Sequence, residues 1–372
     1  MEINRDDIGA IQACITNRLD PTAISGRRLA GVIGDAPSQY SKSPALWNAA
    51  FDLLGMNAIY LPLDVAESRL KELASALRDS ERMLGVNVTV PYKLKIMEHL
   101  DELDAGAKRI QAVNTVVRTG DGRLIGYNTD GQGFVESILK PQPDQSNSFI
   151  ESLKGVDVLL LGAGGSARAV AFHVADVLDG GRLLICNRTI EHARGLVQEL
   201  PRMGRDIRAI SEEELPIWAP KVGLIINSTT KGQGGIREQS DGKFISMEAY
   251  SALAPAHPVA VPASQDGKKD SDERAVQASQ TDIQKNNQAS IKLATSVPKT
   301  VRFYDLIYFP EETLFLRHAK LTGHPTMNGK AMIINQAVIA FCRRLCQSEL
   351  QARGRDNPET YKQILAVMYR AW

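Results

Sequence analysis

A chain of 372 residues has room for about two domains at ~100–200 residues each, and its 43% hydrophobic content can fill two cores. The formal net charge of +1 provides no strong field to attract nucleic acid or an acidic membrane surface. Four cysteines, Cys14, Cys186, Cys342 and Cys346, form no C-x-x-C pair, so neither a disulfide framework nor a metal site is expected. Residues 1–7 are charged and no long apolar run follows them; no secretory signal or membrane span is expected, and the expected location is the cytoplasm.

The spacing of Ile8, Ile11, Cys14 and Ile15 predicts a helix over residues 8–18. A first strand is expected at 29–34, followed by a turn that carries Ser41 and Ser43 ahead of Pro44. Pro44 suits the first turn of a helix, and serine hydroxyls with free N–H groups at that place suit either an anion or a plain helix cap. A second strand is expected at 58–63 and an amphipathic helix at 68–78. Over residues 84–90, Val86, Val88 and Val90 alternate with Asn87 and Thr89, the pattern of a strand with its polar side chains on one face. Pro91 ends the ladder, and Lys93 is expected at the mouth of a helix over 92–99. In open α/β sheets ligands bind at the carboxyl ends of the strands. Next come an apolar run with Asn114, a hairpin turn at Gly120-Asp121-Gly122, and Asp130 at the end of the returning strand, before a helix over 133–139.

Residues 141–148 read as a loop or linker. The apolar run 156–161 is typical of a buried parallel strand. Gly162, Ala163, Gly164, Gly165, Ser166 and Ala167 follow at once and open a helix, which is the dinucleotide-binding fingerprint in its required context. The next strand ends in Asn187, Arg188 and Thr189, with no acid before Glu191. A carboxylate there would hold a ribose hydroxyl, whereas Arg188 can pair with a 2′-phosphate, so NADP is favoured and NAD remains possible. The strand 222–227 ends in Ser228 and Thr229, on the nicotinamide side of the cofactor. Residues 256–298 are rich in Gln, Ser, Asp, Lys and Ala and are expected to be a disordered or loosely helical insertion. A strand over 301–309 and a helical remainder complete the chain. Gln336 sits in a long helix, either on its wet face or used for recognition.

These pieces in this order resemble the shikimate dehydrogenase family. Ser41-Lys42-Ser43-Pro44 resembles its S-x-S-P, and Asn87-Val-Thr-Val-Pro-Tyr-Lys93 its N-V-T-x-P-x-K. Asn114-Thr115 and Asn128-Thr129-Asp130 resemble its N-T and N-T-D blocks. The glycine turn, Asn187-Arg188-Thr189, Tyr304-Asp305 with Tyr308 and Pro310, and Gly329 with Met332 and Gln336 resemble the later blocks. The resemblance implies an α/β enzyme of two domains. A substrate domain over 1–130 would be completed by 325–372, and a Rossmann-type NAD(P)-binding domain over 131–324 would carry the insertion.

The implied reaction is the reversible NADPH-dependent reduction of 3-dehydroshikimate to shikimate. Lys93 and Asp130 would form the acid–base pair. Ser41, Ser43, Asn87, Thr89, Asn114, Tyr304 and Gln336 would bind substrate. The glycine turn with Asn187, Arg188, Thr189, Ser228, Thr229, Gly329 and Met332 would bind cofactor. The implied partner is a small molecule, and the assembly a monomer or homodimer. Departures from the family pattern are Trp47 and His192, a lengthened turn over 35–40, and Ser228 with the insertion that follows. A quinate or quinate/shikimate dehydrogenase, or a non-catalytic sensor on the same fold, are the alternatives.

Overall fold

The structure is a computed structural model and describes residues 6–143, 145–201, 205–239, 241–264 and 267–372. The chain divides into two compact units, Met1–Ser148 with Met332–Trp372, and Phe149–Ala331. The boundary therefore falls near 148, not at the expected 130: helix Asp130–Leu139 is tied to the first unit by the bond from Asn114 to Asp130 and by the close approach of Gly133 to Gln336. The chain returns to that unit at Met332 instead of 325. The expectation for residues 1–5, and for Asp144 within the 141–148 loop, lies outside the described residues.

The first unit holds a six-stranded sheet. Its strands are β1 (Arg28–Gly34), β2 (Ala58–Asp64), β3 (Met83–Val88), β4 (Glu102–Leu103), β5 (Thr115–Arg118) and β6 (Leu124–Tyr127), in the order β2-β1-β3-β5-β6-β4. β1 runs parallel to β2 and β3. β5 is antiparallel to both β3 and β6, as the hairpin turn predicted. One face packs on helices Asp6–Cys14 and Leu70–Asp79 through Ile11, Leu29, Leu73 and Leu77. The other face packs on helix Ser43–Leu53 and the chain's last helices through Trp47, Phe51, Tyr60, Phe341 and Ile364. Trp47 stacks on Tyr60 at 4.7 Å between ring centroids, and Phe341 lies 5.2 Å from Trp47. The C-terminal segment belongs here because its apolar side chains complete this layer.

The helix expected over 92–99 is not an α-helix. β3 stops at Val88, the chain turns through a cis Val90–Pro91 peptide, and only Lys95–His99 coils, as a 3-10 helix. Tyr92 is buried and its hydroxyl donates to Val65 O at 2.8 Å. That anchor fixes the turn and leaves one short coil after Lys93.

The second unit is a fully parallel sheet of β7 (Val158–Leu161), β8 (Arg182–Cys186), β9 (Asp206–Ile210), β10 (Leu224–Asn227), β13 (Arg302–Asp305) and β14 (Thr326–Met327). A separate hairpin pairs β11 (Ile236–Glu238) with β12 (Phe244–Ser246). The sheet order is β14-β13-β10-β7-β8-β9, the doubly wound order whose direction reverses between β7 and β10. β7 and β10 are buried along their whole length, which explains their continuous apolar runs.

Residues 256–298, expected to be disordered or loosely helical, are largely helical among the described residues. Asp266, where the most polar stretch begins, lies outside the described residues. Beyond it Lys268–Ala278 and Gln280–Ser296 are helices. The second buries a narrow stripe of Ile283, Asn286, Ser290, Leu293 and Ala294, spaced three or four apart as one helix face requires. Two of those positions are polar, so the stripe is invisible to a hydrophobicity count. Asn286 is 2% exposed; its amide accepts from Ser251 N at 2.8 Å and donates to the carbonyls of Ser251, Ala254 and Pro255. Leu293 and Ala294 join Phe303 and Phe315 in the core of the unit. Leu293→Ala should therefore cost about 2–4 kcal/mol in urea denaturation. An unchanged midpoint would show that this helix does not dock.

Candidate active site

In the first unit the carboxyl ends of β3 and β6 bring Lys93 and Asp130 together. Lys93 Nζ donates to Asp130 Oδ2 at 2.6 Å, with side chains 23% and 6% exposed. Asp130 opens helix Asp130–Leu139, where the positive end of the helix dipole favours a carboxylate. Its other oxygen, Oδ1, accepts from Asn114 Nδ2 at 2.8 Å. The same Asn114 amide donates to Thr129 Oγ1 at 2.9 Å and to Gln336 Oε1 at 3.2 Å. Asn114 Oδ1 accepts from Thr129 N and from Thr115 Oγ1, each at 2.9 Å.

The network continues inward. Asn87 Nδ2 donates to Thr115 Oγ1 at 3.0 Å and to Asn114 O at 3.2 Å, while Asn87 Oδ1 accepts from the Tyr60 hydroxyl at 2.7 Å. Burial pushes the Tyr60 phenol well above its ordinary value, so it stays a neutral donor. Buried polar groups require this degree of saturation. Tyr60, Thr115 and Thr129 were missed as members of the site. Thr129 sat between two chosen residues, and Tyr60 shared the alternating pattern of its strand, but nothing in the sequence said which way either side chain turns.

Gln336 reaches this cluster because two helices approach closely. A Cβ on Gly133 would lie 2.6 Å from the backbone nitrogen of Gln336 and 2.7 Å from its Cβ. Ser41 and Ser43 stand half-buried at the start of helix Ser43–Leu53, and Ser41 Oγ accepts from Ser43 N at 3.2 Å. The lengthened turn before them forms a short helix, Pro37–Tyr40, held to Asp64 through Ser38 N and Oγ at 2.8 and 2.5 Å. Thr89 is half-buried beside Gly34, where an added Cβ would meet Thr89 Cγ2 at 2.6 Å. Trp47 is fully buried, so that departure from the family pattern alters packing alone.

In the second unit the glycine turn lies at the reversal of strand order. Gly162 has φ +110°, and an added Cβ would fall 2.6 Å from Ser228 Oγ. Ser228 in turn donates to Leu161 O from both N and Oγ, at 2.8 and 2.6 Å. Glycine at this position thus lets the turns after β7 and β10 meet. Gly164 caps helix Gly165–Val177. Gly164, Gly165 and Ser166 are exposed, and a Cβ on either glycine would meet nothing. Ala167 is fully buried against the sheet. Free N–H groups at an open helix N-terminus fit a pyrophosphate, so the residues present suit a dinucleotide.

Beyond β8, Asn187 Nδ2 donates to Thr189 O at 2.9 Å. Arg188 is exposed and has no hydrogen bond or ion pair among the described residues, whereas Arg168 is taken up by Glu199 at 2.5 Å. His192 is exposed. Thr229 is turned inward, donating from N and Oγ1 to Asn227 Oδ1 at 2.9 and 2.7 Å. Lys231 is buried, with Nζ on Glu212 at 2.6 Å and on Ala254 O at 2.7 Å.

Three of the expected residues are buried. Tyr304 is fully buried in β13, edge-on to Phe149, and presents no surface to a substrate; Tyr308, in the turn that follows, is only partly buried. Gly329 serves packing, since a Cβ there would fall 2.1 Å from Leu306 O. Met332 lies in the first unit and is 4% exposed, as a core side chain would be. The close helix contact yields a prediction: Gly133→Ala should destabilise the protein by about 1–3 kcal/mol, measured by urea denaturation, and no loss would refute the contact.

Residues 32–116 match the family described as the shikimate dehydrogenase substrate binding domain, and residues 144–246 match the shikimate / quinate 5-dehydrogenase family. A relative from Carboxydothermus hydrogenoformans, described as shikimate dehydrogenase (NADP(+)), is 34% identical over 84% of this chain and 90% of its own. The shikimate dehydrogenase structure from Aquifex aeolicus is 28% identical, with a TM-score of 0.65 over 93% of this chain and 98% of its own. The Thermus thermophilus enzyme, solved with NADP(H) and shikimate, is 27% identical, with a TM-score of 0.61 over 92% of this chain and 99% of its own. The chain belongs to the shikimate dehydrogenase family.

Proposed function

We propose that this protein catalyses the reversible NADPH-dependent reduction of 3-dehydroshikimate to shikimate. The observation that carries the reading is the Lys93–Asp130 pair at 2.6 Å, set among amides and hydroxyls in the unit that matches the substrate-binding family. When bound, the dinucleotide supplies the hydride. The chain's own task is the proton: as hydride reaches the carbonyl carbon, the carbonyl oxygen gains negative charge and takes a proton from Lys93 Nζ. Asp130 holds that ammonium in place through its hydrogen bond, and in the reverse direction the lysine receives the proton again. Ser41 and Ser43, at a helix N-terminus, suit the substrate carboxylate. Thr89 and Gln336 supply polar groups for the ring hydroxyls, and Asn114 and Asn87 support them from behind, since both amides are already engaged on both sides.

NADP is the cofactor of this reading. Arg188, exposed and without a partner among the described residues, suits a 2′-phosphate. A cytoplasmic setting suits four buried, free thiols, and among the described residues no helix is long and apolar enough to cross a membrane.

A spectrophotometric assay of shikimate and quinate, each with NADP and NAD, tests the reading. Shikimate with NADP should turn over fastest; a dominant rate on quinate would replace it with the quinate reading, and no oxidation of either would favour a sensor. Lys93→Ala should lower turnover by about 10²–10⁴-fold and leave the NADPH dissociation constant within about 2-fold, which fluorescence titration checks. Arg188→Ala should weaken NADPH by roughly 10–100-fold, the worth of a charge-assisted contact, and leave NADH unchanged. Equal losses for the two nucleotides would remove Arg188 from the 2′-phosphate.

A further inference from the structure

Asp305 follows Tyr304 in the chain, yet the reaction described above gives it no part. It ends β13, is fully buried, and accepts hydrogen bonds from three sides. Oδ1 accepts from Ile307 N at 2.9 Å and from Asn227 Nδ2 at 3.0 Å, and Oδ2 accepts from Thr313 Oγ1 at 2.6 Å. These donors belong to two different turns. Asn227 ends β10, and its Oδ1 holds Thr229 through N and Oγ1, while its Nδ2 also reaches Lys231 O at 3.2 Å. Ile307 and Thr313 bracket the turn after β13 that carries Tyr308.

The two turns touch directly. Gly232, with φ +95°, sits where a Cβ would lie 2.9 Å from Thr313 Cβ, and Leu306 N donates to Asn227 O at 2.9 Å. Thr313 also caps helix Leu314–Leu321. One carboxylate therefore joins the turn after β10 to the turn after β13. With the pyrophosphate at the turn after β7 and the adenosine ribose at the end of β8, the nicotinamide half of a dinucleotide runs over these two strands.

We propose that Asp305 is a positioning residue for the nicotinamide half of the cofactor, fixing the turns 228–231 and 306–313 through its ionised carboxylate. The inference rests on the NADP reading above. The three donors are neutral. The charged groups on the surrounding elements are committed elsewhere: Lys231 to Glu212, and Arg317 and Lys320 to Glu312. His318 contacts Ser290 at 2.8 Å, and burial lowers its pKa. Tyr308 is pushed up by burial and stays neutral.

Burial pushes the Asp305 carboxyl up to about 7, against the pull of the hydrogen bonds from Thr313, Ile307 and Asn227. Above that pH the carboxylate accepts all three bonds. Below it, the added proton sits on Oδ2 and is donated to Thr313 Oγ1, which must turn from donor to acceptor, and all three bonds lose the charge assistance that holds the two turns. Cofactor affinity therefore falls as pH falls through about 7.

The test is the dissociation constant of NADPH and of adenosine 2′,5′-bisphosphate, measured by titration from pH 5.5 to 8.5 on the parent, Asp305→Asn and Thr313→Val. The parent should bind NADPH several-fold more weakly at pH 5.5 than at 8.5. Asp305→Asn should bind it about 10-fold more weakly at pH 8.5, the loss of roughly 1.4 kcal/mol, with a flat profile. Thr313→Val should show a similar loss. All three should bind adenosine 2′,5′-bisphosphate alike, because the adenosine half lies over β7 and β8. Equal weakening of both ligands, or a parental pH profile in both variants, would overturn the assignment. Failure of the parent to bind either ligand would instead overturn the NADP reading.

Discussion

A negative charge removed from water is the constraint on which the first unit depends. Asp130 has almost no exposed surface, and an uncompensated buried carboxylate would cost several kcal/mol. Lys93 neutralises one oxygen and Asn114 saturates the other. Asn114 can do so only because Thr115, Thr129 and Gln336 hold its amide in one orientation. The requirement then spreads through the unit. Gln336 must lie beside helix Asp130–Leu139, so position 133 must lack a side chain. The C-terminal helices must return to the unit that the first residues began, and Trp47, Phe51 and Phe341 supply the apolar contacts that keep them there.

The second unit rests on close backbone approach rather than charge. β7 and β10 pair in parallel where the strand order reverses, and the turns that leave them are pressed together at Gly162 and Ser228. An open helix N-terminus is left above the contact. Anion binding there needs no cationic side chain, which agrees with Arg168 being spent on Glu199 and Lys231 on Glu212. In the NADP reading, the charge that would distinguish one dinucleotide from another is that of Arg188, exposed at the end of β8.

Much of this was legible in the residues. The strand–turn–helix around Gly162, the alternation from Val86 to Val90 and the hairpin at Asp121-Gly122 are local patterns, and local patterns survive without coordinates. The family resemblance supplied the pairing of Lys93 with Asp130, which lie 37 positions apart and which no spacing argument joins. Other features were hidden for identifiable reasons. The helix Gln280–Ser296 buries Asn286 and Ser290 in place of apolar side chains, so it looked solvated. Tyr304 and Tyr308 both carried a phenol in one motif, and only the strand geometry shows that Tyr304 points into the core. The end of the first unit was placed too early because Asp130 was read as a strand terminus, whereas it opens a helix that packs through Gly133 on Gln336 of the same unit.

The first unit is assembled from both ends of the chain, with Phe149–Ala331 inserted as one uninterrupted stretch. During synthesis the inserted unit has all its residues before the earlier one does. The sheet β2-β1-β3-β5-β6-β4 must wait, with the face around Trp47 and Tyr60 uncovered, until some 180 further residues have emerged; at ~5–20 residues per second that is roughly 10–40 seconds. Contacts such as Trp47 to Phe341 close a loop of about 300 of the 372 residues, so the cluster of Lys93, Asp130 and Gln336 is among the last parts of the molecule to be completed.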